Sequence, residues 1–135
     1  MAVQIERDVY PKTSKLAALY EAVGWSAYTQ DEASLTRAVA QSLAVVTAWE
    51  GEERLVGLAR AVGDGESILF IQDVLVHPEY QGHGIGSDLV GELCAMYPAV
   101  RRKLLLADDT PELASFYRQL DWVPVKEAGM EAWTL

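Results

Sequence analysis

The residues best placed to do chemistry lie in one run, Asp73-Val74-Leu75-Val76-His77-Pro78-Glu79-Tyr80-Gln81-Gly82-His83-Gly84-Ile85-Gly86-Ser87. An apolar, strand-like stretch gives way to three glycines in five positions, and then to a helical pattern. Glycine reaches positive φ at no steric cost, so backbone N–H groups can converge in such a turn. With the positive end of the following helix dipole, those groups make a cradle for an anion such as a pyrophosphate. Without a ligand, the same residues would be a sharp strand-to-helix turn and nothing more.

Several phosphate ligands use loops of this kind. The Walker pattern needs Gly-Lys-Ser/Thr, but Gly86 is followed directly by Ser87. The dinucleotide fingerprint fits at Gly82 and Gly84, places Ser87 at its third position, and finds an acid at Asp108 about 20 residues on. Only 27 residues follow Asp108, too few to complete a doubly wound domain.

The elements around this run read as mixed α and β. Residues 2–5 form a short first strand. Thr13 or Ser14 caps a helix striped by Leu16, Leu19, Tyr20 and Val23, which Gly24 ends. A loop over Trp25–Gln30 leads to a second helix from Asp31 or Glu32, carrying Leu35, Ala38, Val39 and Ser42. Three strands follow, Leu43–Glu50, Arg54–Val62 and Ser67–Val76, joined by Gly-rich turns into an antiparallel meander. The glycine turn starts a third helix with Ile85, Leu89, Val90, Leu93, Met96 and Tyr97 on its inner side, stopped by Pro98. Lys103–Ala107 is a fifth strand, parallel to the fourth because a helix connects them. Thr110-Pro111 opens a last helix faced by Leu113, Phe116, Tyr117 and Leu120. Trp122–Val125 and Glu131–Leu135 close the sheet as a hairpin.

Composition narrows the class. The chain has 135 residues, 11 basic and 20 acidic, a net charge of −9 and one cysteine. That is one domain, 1–135, able to bury roughly 68% of its unfolded surface without disulfides or metal. A strong acidic excess argues against nucleic-acid binding, which depends on Lys and Arg. No apolar run reaches the roughly 18 residues of a membrane span and the start, Met1 to Asp8, lacks a signal-peptide core, so the expectation is a cytoplasmic protein. Two histidines and one cysteine match no metal-ligand spacing, so no metal is expected. Cys94 reads as core.

The string Gln81-x-x-Gly84-x-Gly86 after V-x-V-x-P-x-Y resembles the acetyl-CoA loop of the GCN5-related N-acetyltransferase (GNAT) family. Phe116-Tyr117-Arg118-Gln119-Leu120-Asp121-Trp122 resembles that family's F-Y-x-x-L-G-F signature, with Asp121 in place of the usual Gly. The order of elements matches over nearly the whole chain. The wording of the loop, with Gly129-Met130 and Trp133, is most similar to small bacterial members and to the plant serotonin N-acetyltransferase branch.

The resemblance implies an α/β fold: a mixed, mostly antiparallel sheet of about six or seven strands, four helices, and a splayed parallel pair at strands four and five. It implies acetyl-CoA as cosubstrate. A bulge in the fourth strand would free Val74, Leu75 and Val76 to pair with the pantetheine arm. Gln81, Gly82, His83, Gly84, Ile85, Gly86 and Ser87 would surround the pyrophosphate. Thr110 stands where many members carry an Asn that bonds the arm, and Phe116 also lies on the cofactor side. The reaction is direct attack of a neutral primary amine on the thioester. Tyr117 resembles the tyrosine that protonates the leaving thiolate, and a phenol of pKa ≈ 10 suits a thiolate of pKa ≈ 8.5 or above.

The base stays open. In a regular strand Asp73 shares a face with Leu69, Ile71 and Leu75, where desolvation would raise its pKa toward a useful range. Alternatively it forms a salt bridge or binds the substrate ammonium while water is the base. His77 sits at a strand end before Pro78, and His83 falls at a variable position of the loop. Trp25 and Tyr28, with Trp133, are candidate walls of an acceptor pocket. Arg60 either orients an acidic substrate group or is an exposed strand arginine. The expected acceptor is a small amine, arylalkylamine- or polyamine-like. A protein N-terminus or lysine as acceptor, and a non-catalytic acetyl-CoA sensor, are the alternatives. A homodimer is common in the family.

Overall fold

The computed structural model describes residues 2–135. Chain contacts divide them into two compact units, one running through Leu105 and one over Leu106–Leu135.

The first unit is a sheet with helices on both faces. Strand β1 (Val3–Arg7) is followed by helices α1 (Thr13–Ala22), α2 (Ser26–Thr29) and α3 (Glu32–Ala40). Strands β2 (Ala44–Glu50), β3 (Arg54–Gly63) and β4 (Ile68–Val76) come next, then α4 (Ile85–Ala95) and β5 (Arg102–Leu105). The five strands lie in sequence order; the first four are antiparallel, and β4 pairs with β5 in parallel. On one face, Leu16, Leu19 and Tyr20 of α1 and Leu35 and Val39 of α3 pack on Val45, Leu58 and Leu75. On the other, α4 lies against β3. A Cβ on Gly57 would come 3.1 Å from Leu89 Cδ1 and 3.3 Å from Ile85 Cγ2, so the missing side chain lets the helix approach.

Two features of β4 bear on the site. First, β5 pairs only with Ile68 to Ile71, while β4 runs on to Val76. The two strands part after Ile71. Second, Asp73 faces Arg60 and Ile71 faces Ala61, so Gln72 is an extra, exposed residue on β4. Side chains of paired antiparallel residues point to the same face, and successive residues alternate. The extra residue therefore breaks the alternation. Asp73 and Leu75 face α1 with Arg60 and Leu58, whereas Ile71 and Leu69 face the opposite side with Ala61 and Gly63. The expectation that Asp73 shares one face with Leu69 and Ile71 assumed a regular strand and is corrected here.

The second unit holds α5 (Pro111–Gln119) and a short 3₁₀ turn, Val125–Ala128. The expected terminal hairpin over Trp122–Val125 and Glu131–Leu135 does not form strands. Pro124 removes a ladder donor from the first half, and Gly129, at φ +81°, closes the 3₁₀ turn that replaces it. The described residues thus contain five strands in place of six or seven. The described residues contain five α-helices in place of four, because the expected Trp25–Gln30 loop contains the single turn α2.

Candidate functional site

The β4–α4 connection is held by its own side chains. His77 Nδ1 accepts from the Glu79 amide at 3.1 Å, opening a 3₁₀ turn over Pro78–Tyr80. Tyr80 is 5% exposed and donates its hydroxyl to Glu50. Arg54 lies 5.1 Å from the Tyr80 ring centroid and bonds Glu79 at 2.9 Å. The β2–β3 hairpin thereby fixes where the glycine turn starts, a contribution of Glu50 and Arg54 that the motif alone does not contain.

Beyond that anchor, Gly82 and Gly84 have φ of +82° and +81°, with open space where a Cβ would stand. Gly84 is the N-cap of α4, and the first intrahelical bond runs from the Asp88 amide to Gly84. By helix geometry, the amides of Ile85, Gly86 and Ser87 have no acceptor within the helix. Ile85 is buried and roots the helix start, His83 is exposed on the turn, and Gln81 Nε2 donates to the Val76 carbonyl at 3.0 Å. The β4 edge that β5 leaves, from Gln72 to Val76, runs directly into this turn. Val74 and Val76 are partly exposed there and Leu75 is buried. An unpaired strand edge that ends at a cluster of amide donors suits a ligand with an amide-bearing arm and a phosphate head.

On the α1 face lies a buried polar cluster. Asp73, 3% exposed, accepts from Arg60 Nε at 2.6 Å and Tyr20 Oη at 2.9 Å on Oδ2, and from Tyr28 Oη at 2.8 Å on Oδ1. Arg60 is 5% exposed, which corrects the expectation of an exposed strand arginine. Its Nη1 also reaches the Ala38 carbonyl and Ser42 Oγ, at 3.5 and 3.4 Å. Burial acts against the Arg60 charge, but Asp73 more than offsets it, and the guanidinium rises above its ordinary value. Burial, then the charge and hydrogen bond of Asp73, push the Tyr20 phenol far upward, so it stays a proton donor to the carboxylate.

The chain reaches this cluster through the end of α1. The Trp25 amide bonds the Tyr20 carbonyl and the Gly24 amide bonds that of Glu21, both at 3.0 Å, with Gly24 left-handed. This cap sets the Trp25 ring 5.9 Å from that of Tyr20 and sends α2 back so that Tyr28 lies 4.9 Å from Tyr20. Trp25 and Tyr28 are both partly buried against the core. Sequence periodicity identified Tyr20 only as core. The signal for Arg60 was weak: one arginine inside the apolar run from Leu55 to Val62.

The remaining candidates lie in the second unit. Thr110 caps α5, its hydroxyl accepting from the Leu113 amide at 3.2 Å, which leaves its own proton uncommitted by that bond. Phe116 and Tyr117 are partly buried with rings 4.9 Å apart, and burial raises the Tyr117 phenol. Trp133 is 86% exposed.

Comparison with known proteins gives the family and the fold. A model described as the acetyltransferase (GNAT) family matches residues 4–122. An uncharacterized N-acetyltransferase (ycf52-like) of Prochlorococcus marinus is 34% identical over 113 residues, 80% of this chain and 61% of that one. A Glycine max protein named histone acetyltransferase TAP1 is 34% identical over 125 residues, 84% of this chain and 51% of that one. A solved GNAT acetyltransferase of Streptococcus pneumoniae TIGR4 has a TM-score of 0.88 at 30% identity, covering 99% of this chain and 97% of that one. The chain belongs to the GNAT acetyltransferase family. It spans between about half and three fifths of the length of those two sequence relatives. No helix among the described residues is long and apolar enough to cross a membrane.

Proposed function

We propose that this chain transfers the acetyl group of acetyl-CoA directly to a primary amine, most simply that of a small molecule. The observation that carries the reading is the free β4 edge from Gln72 to Val76 leading into the Gly82–Ser87 amide cluster. Val74, Leu75 and Val76 supply main-chain partners for the amides of the pantetheine arm. Gly82 to Ser87 receive the pyrophosphate through backbone N–H groups, which is how a protein of net charge −9 holds a phosphate ligand. Acetyl-CoA brings the activated thioester. Tyr117 supplies the proton to the departing thiolate, supported by its place in the Phe-Tyr signature and by burial that keeps it protonated. With both oxygens of Asp73 already receiving donors, water is the better candidate to take the ammonium proton.

Titration calorimetry with acetyl-CoA tests the reading, with Gly84→Val beside wild type. A side chain at φ +81° strains the N-cap and intrudes on the cradle, so the variant should lose at least about tenfold in affinity. Normal affinity in that variant would contradict the loop assignment. A protein amine as acceptor is the second reading, favoured by the soybean relative's name. Acetylation of peptides but not of small amines would select it.

A further inference from the structure

A buried ion pair rarely adds stability over apolar residues of the same volume, so the Asp73–Arg60 cluster asks for another role. Tyr20, Arg60 and Asp73 are 0%, 5% and 3% exposed, and Tyr28 alone of the four is partly open. A phenol has one proton and two lone pairs. Tyr28 gives its proton to Asp73 Oδ1 at 2.8 Å. Both lone pairs are left, so on its open side Tyr28 can accept a hydrogen bond but cannot donate one. The cluster sits where β4 has just parted from β5, since Asp73 follows the last paired residue, Ile71, by two positions.

We propose that Tyr28 Oη receives an N–H of the acceptor amine, and that Asp73 is a positioning residue that fixes the direction of that hydroxyl and not the base that deprotonates the amine. This rests on the acetyltransferase reading above. Protonating Asp73 would strand the Arg60 charge in the core, whereas accepting from Tyr28 keeps the pair neutral. Tyr20 from α1, Tyr28 from α2 and Arg60 from β3 are the groups that donate to the carboxylate.

The test uses tyramine and spermidine as probe amines, with CoA release followed by a thiol reagent and acetyl-CoA binding followed by calorimetry. Tyr28→Phe keeps the ring and removes the acceptor. Its amine KM should rise about tenfold, the worth of one hydrogen bond to a charged donor, with acetyl-CoA affinity and kcat within about twofold of wild type. In Asp73→Asn the amide oxygen stays with Arg60 and the NH₂ faces Tyr28, which turns the hydroxyl proton outward. That variant should reproduce the KM rise and keep the pH profile of kcat.

If Asp73→Asn erases the acidic limb of kcat while Tyr28→Phe leaves KM unchanged, Asp73 is the base and the inference fails. Should Asp73→Asn not fold, Tyr28→Phe decides alone, and an unchanged amine KM counts against the role. Turnover of neither probe by wild-type protein that binds acetyl-CoA also overturns it. Absence of acetyl-CoA binding overturns the acetyltransferase reading instead.

Discussion

Arg60 and Asp73 show how much one pair of side chains can commit. Removing one partner of a buried ion pair leaves an uncompensated charge, which costs about 3–5 kcal/mol. Arg60→Met should destabilise the protein by that order, read from urea unfolding. A loss under about 1 kcal/mol would mean that water reaches the carboxylate once the guanidinium is gone. Tyr117→Phe asks about chemistry alone: turnover should fall with acetyl-CoA affinity retained, and equal turnover would remove the acid role. Asp73 stood out in the sequence because it interrupts an apolar strand. Its partners did not stand out, because Tyr20 lies on a helix stripe and Tyr28 in what reads as a loop. Their meeting depends on a cap and a register that no local pattern encodes.

Among elements, the helix ends are the most instructive. The cap that follows α1 recurs after α5, where the Asp121 amide bonds the Arg118 carbonyl and the Trp122 amide bonds that of Tyr117, each at 3.0 Å. Here the left-handed residue is Asp121, at φ +68°, where the family signature has glycine. The aromatic contact across the cap is kept, with Tyr117 and Trp122 rings 6.2 Å apart. Asp121→Gly should therefore stabilise the protein by up to about 1 kcal/mol, seen as a higher urea midpoint. No change would mean that the Asp side chain already compensates for its backbone. Strand order, the parallel pair and the glycine turn were legible because each has a short-range signature. The terminal hairpin was misread because Trp122–Val125 looks strand-like by composition, yet Pro124 cannot donate to a ladder. Thr13 likewise looked like a cap for α1, but the N-cap is Lys12, and the Thr13 hydroxyl instead meets that of Thr36 on α3 at 2.8 Å.

At the scale of the molecule, the charge of −9 is carried outside the core, since Asp73 and Arg60 cancel within it. On the reading proposed above, an acidic exterior would concentrate cationic acceptors and repel the phosphates of acetyl-CoA, which local amides would hold against it. The kcat/KM for spermidine should then fall as salt rises, because the screening length shrinks from about 30 Å at 0.01 M to about 3 Å at 1 M. Acetyl-CoA affinity should not fall with it, because salt screens a repulsion there. A flat salt profile for spermidine would leave the acidity with solubility alone.

Gln72 carries a different kind of constraint from any of these. Its side chain is exposed, so its identity is open to change at little cost. Its presence sets the course of β4 and not the facing of its neighbours: the ladder closes on either side of it, Ile71 on Ala61 and Asp73 on Arg60, so with one residue fewer the same side chains would face the same sides of a straighter strand. At this position the chain can vary in letter, and a change in length would alter the bend and twist of the freed edge while Asp73 stays with Arg60.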